Sequence, residues 1–287
     1  MKVLITGGKG QLGVDAASVF QQRGWEVFVF GRDRLDVTKG EQVMEVVESV
    51  RPDVVIHAAA YTQVDQAEQD VDSAYLVNAY GTRNVAVASE KVKAKLVYIS
   101  TDYVFDGTGI DPYNEFAPTN PQSVYGKSKL AGESFVRELS SRFFIVRTSW
   151  VYGLYGNNFV KTMLKLAKER NELSVLYDQV GSPTYTVDLV CFLEELASTE
   201  LYGTYHASNS GQCSWYEFAK AIFEEAGLNH VIVHPVTTEQ LKRPAPRPAF
   251  SVMDHMSIRL NGLQHLRPWR EALREFLEQL HDNGLDQ

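Results

Sequence analysis

The fold is decided near the amino terminus by the stretch Lys2-Val3-Leu4-Ile5-Thr6-Gly7-Gly8-Lys9-Gly10-Gln11-Leu12-Gly13. Its first five residues are a short apolar run that predicts a buried strand. A helical pattern follows over residues 14–23, Gly24 ends it, and residues 26–30 predict the next strand. Glycines at the first turn of a strand–helix–strand unit let the backbone approach a pyrophosphate at the helix amino end. The stretch therefore predicts a dinucleotide site; a purely structural glycine turn is the alternative.

A second motif, Val124-Tyr125-Gly126-Lys127-Ser128-Lys129, continues into a helical pattern. Positions i and i+4 share one face of a helix, so Tyr125 and Lys129 can act on the same spot. A phenol titrates near ~10, and an adjacent cation lowers its pKa towards neutral pH. The motif predicts a tyrosine acid–base catalyst with a lowered pKa. An ordinary exposed helix face is the alternative, because Tyr and Lys are common there.

Strand and helix patterns alternate along the first half of the chain. Apolar strands are predicted over residues 54–57, 96–100 and 143–147, with helices over 40–50 and 73–91 and around Tyr125. Continuous apolar strands between helices indicate an α/β fold with a doubly wound parallel sheet of the Rossmann type. We expect an NAD(P)-binding domain over residues 1–150, with later strand and helix returns near 175–200. Residues 151–287 would mainly form a smaller α/β substrate-binding lobe.

The later elements are less regular. Helices are predicted over residues 159–170, 187–198, 215–226 and 269–280, and strands over 175–178, 204–207 and 231–233. Residues 243–248 contain too many prolines for a helix.

Composition narrows the class of protein. The 287 residues are 44% hydrophobic and 22% charged with a net charge of −8, which argues against a nucleic-acid-binding surface. We find neither a signal peptide nor an apolar run long enough to span a bilayer. Cys191 lies in an apolar stretch and is expected in the core, whereas Cys213 lies in a loop-like segment. Two free thiols without metal-type spacing predict a cytoplasmic protein.

The chain resembles the extended short-chain dehydrogenase/reductases, and within them the dTDP-4-dehydrorhamnose reductase family. The resemblance covers nearly the whole chain. The glycine and Tyr/Lys motifs mark only the superfamily. Residues 100–107 and 178–184 are much more particular to the reductases: Ser100-Thr101-Asp102-Tyr103-Val104-Phe105-Asp106-Gly107 and Asp178-Gln179-Val180-Gly181-Ser182-Pro183-Thr184.

The resemblance implies a catalytic trio of Thr101, Tyr125 and Lys129. Thr101 would hydrogen-bond a substrate carbonyl, and Tyr125 would protonate its oxygen as hydride arrives. Lys129 would hold the nicotinamide ribose and lower the tyrosine pKa. Ser100 is the alternative donor to the carbonyl.

The resemblance also implies a set of cofactor contacts: Gly7, Gly10, Gln11, Leu12, Gly13, Asp36, Val37, Ala58, Ala59, Ala60, Tyr61, Thr62 and Asn78, together with Tyr125 and Lys129. Asp36 has the alternative of capping the next helix. Strand 26–30 ends in Gly31-Arg32 without an acidic residue at its tip. An arginine there can pair with the 2′-phosphate of NADP, so Arg32 favours NADPH, with NADH as a second accepted cofactor. A solvated surface arginine is the alternative.

The implied substrate contacts are Thr101, Tyr103, Trp150, Asn158, Arg243 and Arg247. Trp150 has the alternative of an ordinary core aromatic. The two arginines are candidate clamps for a nucleotide diphosphate, because guanidinium binds phosphate oxygens in a fork. Some reductases of this family hold magnesium at a dimer interface. Asp15 occupies a similar place, but the rest of that acidic set is not evident, so we expect no required metal.

The expected activity is the NADPH-dependent reduction of the C4 ketone of dTDP-4-dehydro-L-rhamnose to dTDP-L-rhamnose. An epimerase or dehydratase of the same group, with tightly retained NAD, is one alternative. A non-catalytic NADP-binding regulatory subunit, like that of methionine adenosyltransferase, is the other. The expected partner is a small nucleotide sugar, with no nucleic acid and no membrane; the oligomeric state stays open, with a homodimer as the candidate assembly.

Overall fold

The computed structural model describes residues 1–284, and a six-stranded parallel sheet lies at its centre. In chain order the strands are β1 (Lys2–Thr6), β2 (Glu26–Phe30), β3 (Val54–His57), β4 (Lys95–Thr101), β5 (Phe143–Thr148), β6 (Val151–Tyr152), β7 (Glu172–Leu176), β8 (Val180–Gly181), β9 (Thr184–Tyr185), β10 (Gly203–His206), β11 (Cys213–Ser214) and β12 (Ile232–Val236). The central sheet has the order β10-β5-β4-β3-β1-β2. The chain therefore changes direction across the sheet between β1 and β3, which is where such folds bind ligands.

The helices cover both faces of this sheet. They are α1 (Gln11–Gln22), α2 (Gly40–Val50), α3 (Val64–Ala67), α4 (Val71–Tyr75), α5 (Thr82–Val92), α6 (Val124–Leu139), α7 (Phe159–Glu169), α8 (Thr186–Ala197), α9 (Trp215–Glu225), α10 (Met256–Leu260) and α11 (Trp269–Asp282). A π-helical turn, Leu76–Gly81, joins α4 to α5. The prediction of one regular helix over residues 73–91 was wrong in this respect, because the hydrophobic pattern does not encode the wider turn.

Alternate residues of the strands point into two separate cores. On β1, Val3 and Ile5 pack with side chains of α1 and α8, whereas Leu4 packs with side chains of α2 and α5. Side chains on a strand alternate between the two faces of a sheet, so a strand covered on both sides is apolar throughout. The predicted doubly wound parallel sheet is confirmed.

Two elements beyond residue 150 return to the central sheet. Strand β10 pairs in parallel with β5, and α8 packs beside α1 in the same core. The sheet therefore draws on both predicted segments, 1–150 and 151–287. Ile258 of α10 also lies in the core shared by α1 and α8. The helices α7, α9 and α11 form a smaller lobe around a second core that includes Phe218 and Phe276.

The smaller lobe departs from the sequence predictions in its strands. The strand predicted over residues 175–178 is Glu172–Leu176, and it pairs in parallel with Ile232–Val236. The prediction for Cys191 was also wrong, since this side chain is exposed while Cys213 is buried. Within residues 1–284, no helix combines the length and apolar character needed to cross a bilayer.

Candidate active site

One large cavity of about 620 Å³ lies at the carboxyl ends of β1 to β5. Its volume is typical of a site for a cofactor or a small substrate. Most of the residues predicted for the site border it: Gly7, Gly10, Gln11, Leu12, Gly13, Arg32, Asp36, Val37, Ala58, Ala59, Ala60, Tyr61, Thr62, Thr101, Tyr103, Tyr125, Lys129 and Trp150. Parallel strands bring these segments together because all of them end at the same edge.

The turn from β1 into α1 forms one end of the cavity, and two of its positions, Gly7 and Gly13, have no room for a side chain. Gly7 has a φ of +70°, and a Cβ there would lie 2.6 Å from the amide nitrogen of Ala59. A Cβ on Gly13 would lie 2.4 Å from the carbonyl oxygen of Gly7. Gly10 begins α1 without a side-chain cap, and the first turn of α1 carries no acidic residue. Free backbone N–H groups at a helix amino end fit a pyrophosphate, so the turn suits a dinucleotide.

The second wall of the cavity follows β3 and is braced from behind by Asn78. The Asn78 side chain accepts a hydrogen bond from the Tyr61 amide at 2.8 Å and donates to the Tyr61 carbonyl at 3.0 Å. It also donates to the Ser128 hydroxyl of α6 at 3.0 Å. Asn78 is fully buried and does not border the cavity. The structure thus places it behind the wall, where it fixes the Tyr61 segment against the helix of Tyr125.

Charged side chains stand at the mouth of the cavity near the end of β2. The Arg32 side chain is 83% exposed, and its Nε lies 3.9 Å from Asp36 Oδ2. Lys9, which the sequence analysis did not select, also borders the cavity and pairs with Asp33 at 2.9 Å. Asp36 accepts from both the amide and the hydroxyl of Thr38, so its carboxylate supports the turn before α2 as well as bordering the cavity. Hydrogen bonds from Thr38 and the charge of Arg32 hold the Asp36 pKa below its usual range.

The innermost wall carries Thr101, Tyr125 and Lys129. Thr101 is the last residue of β4, and Ser123 caps the start of α6, where its side chain accepts from the Gly126 amide. The Lys129 ammonium donates to the Ile99 carbonyl at 2.6 Å and lies 4.1 Å from the centre of the Tyr98 ring. Tyr125 and Lys129 share the cavity-facing side of α6, as the spacing predicted.

The pKa values of this trio differ from the sequence expectation. Burial raises the pKa of Tyr125 to about 12; the Thr101 hydroxyl, which can hydrogen-bond the ionised phenol, opposes this rise, and the charge of Asp102 adds to it. Burial lowers the pKa of Lys129 to about 7, and the charge of Glu133 partly offsets the effect. The expected lowering of the tyrosine pKa is therefore absent, because loss of solvent outweighs the opposing effect of Thr101. A phenol with a raised pKa stays protonated and remains available as a proton donor.

A buried ion pair fixes α6 against the sheet. Glu133, one turn after Lys129, accepts from Ser100 at 2.6 Å and from two guanidinium nitrogens of Arg147 at 2.8 Å each. These bonds tie the helix to β4 and β5 at once. Ser100 is thereby committed to Glu133, which leaves Thr101 as the hydroxyl of this strand end that faces Tyr125. Nothing local in the sequence signals this network.

Two predicted substrate residues border the cavity beside the trio. The Tyr103 ring lies edge-on to Tyr125 with centroids 5.4 Å apart. Trp150 has a φ of +49° and stacks on Trp215 with centroids 3.5 Å apart. A bulky residue in the left-handed region is uncommon and occurs where the surroundings enforce it. Trp150 is thus both a cavity residue and part of the aromatic packing of the smaller lobe.

The other three predicted substrate residues do not border the cavity. Asn158 caps α7 and donates to the Gln11 side chain at 2.9 Å, so it joins the smaller lobe to the glycine turn. Arg247 forms a two-pronged ion pair with Asp65 at 3.0 and 2.8 Å. Arg243 is exposed. Contacts of these three residues with substrate stay predictions. A phosphate that binds Arg247 would have to compete with the carboxylate of Asp65.

Within residues 1–284, no group of three or more His, Cys, Asp or Glu side chains could hold a metal ion. Asp15 is buried on α1 and accepts a hydrogen bond from the Thr186 hydroxyl of α8. Burial raises its pKa, and the bond from Thr186 opposes that rise. In this chain Asp15 joins the two helices that cover one face of the sheet.

A doubly wound parallel sheet, a glycine turn at its switch point and a Thr/Tyr/Lys trio in one cavity define a short-chain dehydrogenase/reductase of the extended type. The model of the family described as RmlD substrate binding domain matches residues 1–282. A solved dTDP-4-dehydrorhamnose reductase from Bacillus anthracis, in complex with NADP, is 52% identical with a TM-score of 0.94, over 97% of this chain and 99% of that one.

Curated relatives agree with this match. The spore coat polysaccharide biosynthesis protein SpsK of Bacillus subtilis is 48% identical, over 97% of each chain. The dTDP-4-dehydrorhamnose reductase of Aggregatibacter actinomycetemcomitans is 43% identical, over 95% of this chain and 97% of that one. The chain belongs to the dTDP-4-dehydrorhamnose reductase family, and the resemblance predicted from the sequence is confirmed.

Proposed function

We propose that the protein reduces the C4 ketone of dTDP-4-dehydro-L-rhamnose to dTDP-L-rhamnose, with NADPH as the hydride donor. The observation that carries the proposal is the meeting of Thr101, Tyr125 and Lys129 on the inner wall of the cavity that begins at the glycine turn. Family membership supports the choice of substrate.

The cofactor fits the residues present. The Gly7–Gly13 turn and the uncapped start of α1 would hold the pyrophosphate, and residues 58–62 would form the wall beside the nicotinamide half. Arg32, just after β2, and Lys9, in the glycine turn, supply positive charge for a 2′-phosphate. When bound, the reduced nicotinamide supplies the hydride that the ketone carbon accepts.

The chain's own residues handle the proton. Tyr125 donates its phenolic proton to the ketone oxygen, and the resulting phenolate regains a proton from solvent. Thr101 hydrogen-bonds the same oxygen and fixes its distance from the phenol. Lys129 would hold the ribose and stabilise the phenolate while it exists. The raised pKa of Tyr125 keeps the proton in place until charge develops on the substrate oxygen.

A turnover assay tests the proposal against its alternatives. The protein is mixed with NADPH and a panel of dTDP-, UDP- and GDP-4-keto-6-deoxysugars, and the absorbance of the reduced nicotinamide is followed. We expect one NADPH consumed per dTDP-L-rhamnose formed. An epimerase or dehydratase would give product without net NADPH consumption. A regulatory subunit would bind NADPH but leave every sugar unchanged, and either result would refute the proposal.

We also propose a cytoplasmic location and a homodimer. Cys191 and Cys213 are both free thiols, which supports a reducing compartment. The homodimer rests on the family resemblance alone. Light scattering on the purified protein tests it, and a monomeric mass at working concentration would rule it out.

A further inference from the structure

Asp102 is a buried acid in the cavity wall that the proposed mechanism does not use. It follows Thr101 directly and begins a short 3₁₀ turn, Asp102–Val104. The residue borders the cavity, yet it is only 2% exposed. Oδ1 accepts from the Thr101 hydroxyl at 3.0 Å, whereas the enclosed Oδ2 has no hydrogen-bond partner. An unpartnered buried carboxylate oxygen is costly, so the site disfavours the ionised form.

The charges around Asp102 do not compensate for this. Burial raises its pKa to about 6, against the weaker opposing effects of hydrogen bonding by Ser251, by Thr101 and by the backbone amides of Asp102 and Tyr103. Tyr103 on the same turn and Tyr125 on α6 face it, and both are neutral phenols with raised pKa values. Lys129 of α6 borders the same cavity, but its ammonium bonds the Ile99 carbonyl.

The arginines of the proline-rich segment do not neutralise Asp102 either. Arg247 hydrogen-bonds the Tyr103 phenol, and the charges of Arg247 and Arg243 both oppose the rise in the Tyr103 pKa that burial causes. The Arg247 guanidinium is already paired with Asp65. Asp102 therefore has no dedicated cation among the groups that act on it, and its protonation can change near neutral pH.

The Thr101 hydroxyl has a single proton, and two acceptors compete for it: Asp102 Oδ1 and the oxygen of a substrate ketone. In the structure Thr101 Oγ1 accepts from the Tyr103 amide at 3.2 Å and donates to Asp102 Oδ1. In that arrangement the proton is directed away from a substrate ketone. A protonated Asp102 can instead donate to Oγ1, which then has both lone pairs filled and a free O–H. The direction of one hydrogen bond thus decides what Thr101 offers to the cavity.

We propose that Asp102 is a positioning residue whose proton sets the direction of the Thr101 hydroxyl, so that protonated Asp102 makes Thr101 a donor to the substrate ketone. Ionised Asp102 withdraws that donor. This inference rests on the proposed function, because it assigns a pH-dependent setting to the same site.

The test is the pH profile of kcat/KM for the ketone at saturating NADPH, with the NADPH Kd measured separately at each pH. With a pKa of about 6, nine-tenths of Asp102 is protonated at pH 5 and one-tenth at pH 7, so kcat/KM should fall about tenfold between them. Asp102→Asn is neutral at every pH and should lose this fall. Asp102→Glu keeps an ionisable acid and should retain a pH-dependent fall.

The NADPH Kd, measured separately at each pH, distinguishes titration of Asp102 from titration of Lys129. A change in the charge of Lys129 should change the affinity for the cofactor. The proposal is overturned if Asp102→Asn keeps the wild-type fall, or if it loses the same factor at every pH, as a purely structural role would. Should the Asp102 variants fail to fold, Thr101→Val decides: without a hydroxyl to redirect, the fall must disappear. A wild-type protein inactive on all ketones would refute the proposed function itself, which is a different outcome.

Discussion

Arg32→Ala is the sharpest test of cofactor preference, because the structure isolates this side chain. It is 83% exposed, and the closest carboxylate oxygen in its ion pair with Asp36 is 3.9 Å away. Removing it leaves no buried group without a partner, so the free energy of unfolding should hardly change. A change in cofactor affinity would then report the contact with the cofactor itself.

The expected loss of NADPH affinity in Arg32→Ala follows from the exposure of the side chain. A charged hydrogen bond contributes roughly 1.5–3 kcal/mol, while an exposed ion pair contributes about 0–1 kcal/mol. For a side chain that faces solvent but binds a doubly charged phosphate, we expect about 1–1.5 kcal/mol, or roughly 5- to 13-fold in the Kd of NADPH. NADH has no 2′-phosphate, so its Kd should stay constant. The NADPH effect should shrink at high salt, because exposed charges are screened.

Isothermal titration of wild type and variant with NADPH and NADH measures both constants. Arg34→Ala is the matched control, since Arg34 is an exposed arginine of the same turn that does not border the cavity. Lys9→Ala tests the second cation at the mouth. Equal losses for the two cofactors in Arg32→Ala would refute the reasoning, and a selective loss only in Lys9→Ala would transfer the phosphate contact to that residue.

Three further results are expected. Tyr125→Phe should leave NADPH affinity nearly intact and lower turnover by about 10²–10⁴-fold, the range for loss of a general acid; a variant with half its activity would exclude that role. Lys129→Met should weaken NADPH binding and lower turnover together, and unchanged cofactor affinity in titrations would exclude contact with the ribose. Burial lowers the His57 pKa to about 3, so the unfolded chain binds the extra proton between about pH 6.5 and 3 and stability falls as the pH drops. Chemical denaturation measures the free energy of unfolding at pH 7 and pH 5. This free energy should fall by about 2 kcal/mol more in the wild type than in His57→Asn, and an identical pH dependence in both proteins would contradict this assignment.

Much of the fold could be predicted because its signals are local. The strand Lys2–Thr6 and the helix Gly40–Val50 have the bounds that their hydrophobic patterns indicate. The glycine turn could be predicted as well, since the lack of side chains is itself a sequence feature. Periodicity failed at the π-helical turn Leu76–Gly81, where the same apolar residues fit a regular helix equally well.

The candidate site could be predicted where a residue type and a spacing carry the chemistry. Tyr125 and Lys129 share a helix face for that reason. The strand end left Ser100 and Thr101 open, and the family resemblance favoured Thr101. Asp102 did not stand out, because its importance lies in burial and in an oxygen without a partner rather than in any motif. Asn78 shows the converse, since its side chain turns to the Tyr61 backbone behind the cavity wall.

The sequence by itself determined the main strands and helices of the first half of the chain, the glycine turn and the Tyr/Lys pair, because these depend on neighbours within a few residues along the chain. Only the tertiary structure decided that β10 completes the sheet beside β5, and that burial raises the pKa of Tyr125 to about 12. Both depend on which distant segments pack together. Solvent exclusion at a site is the joint effect of many chain segments, and no single stretch of sequence encodes it.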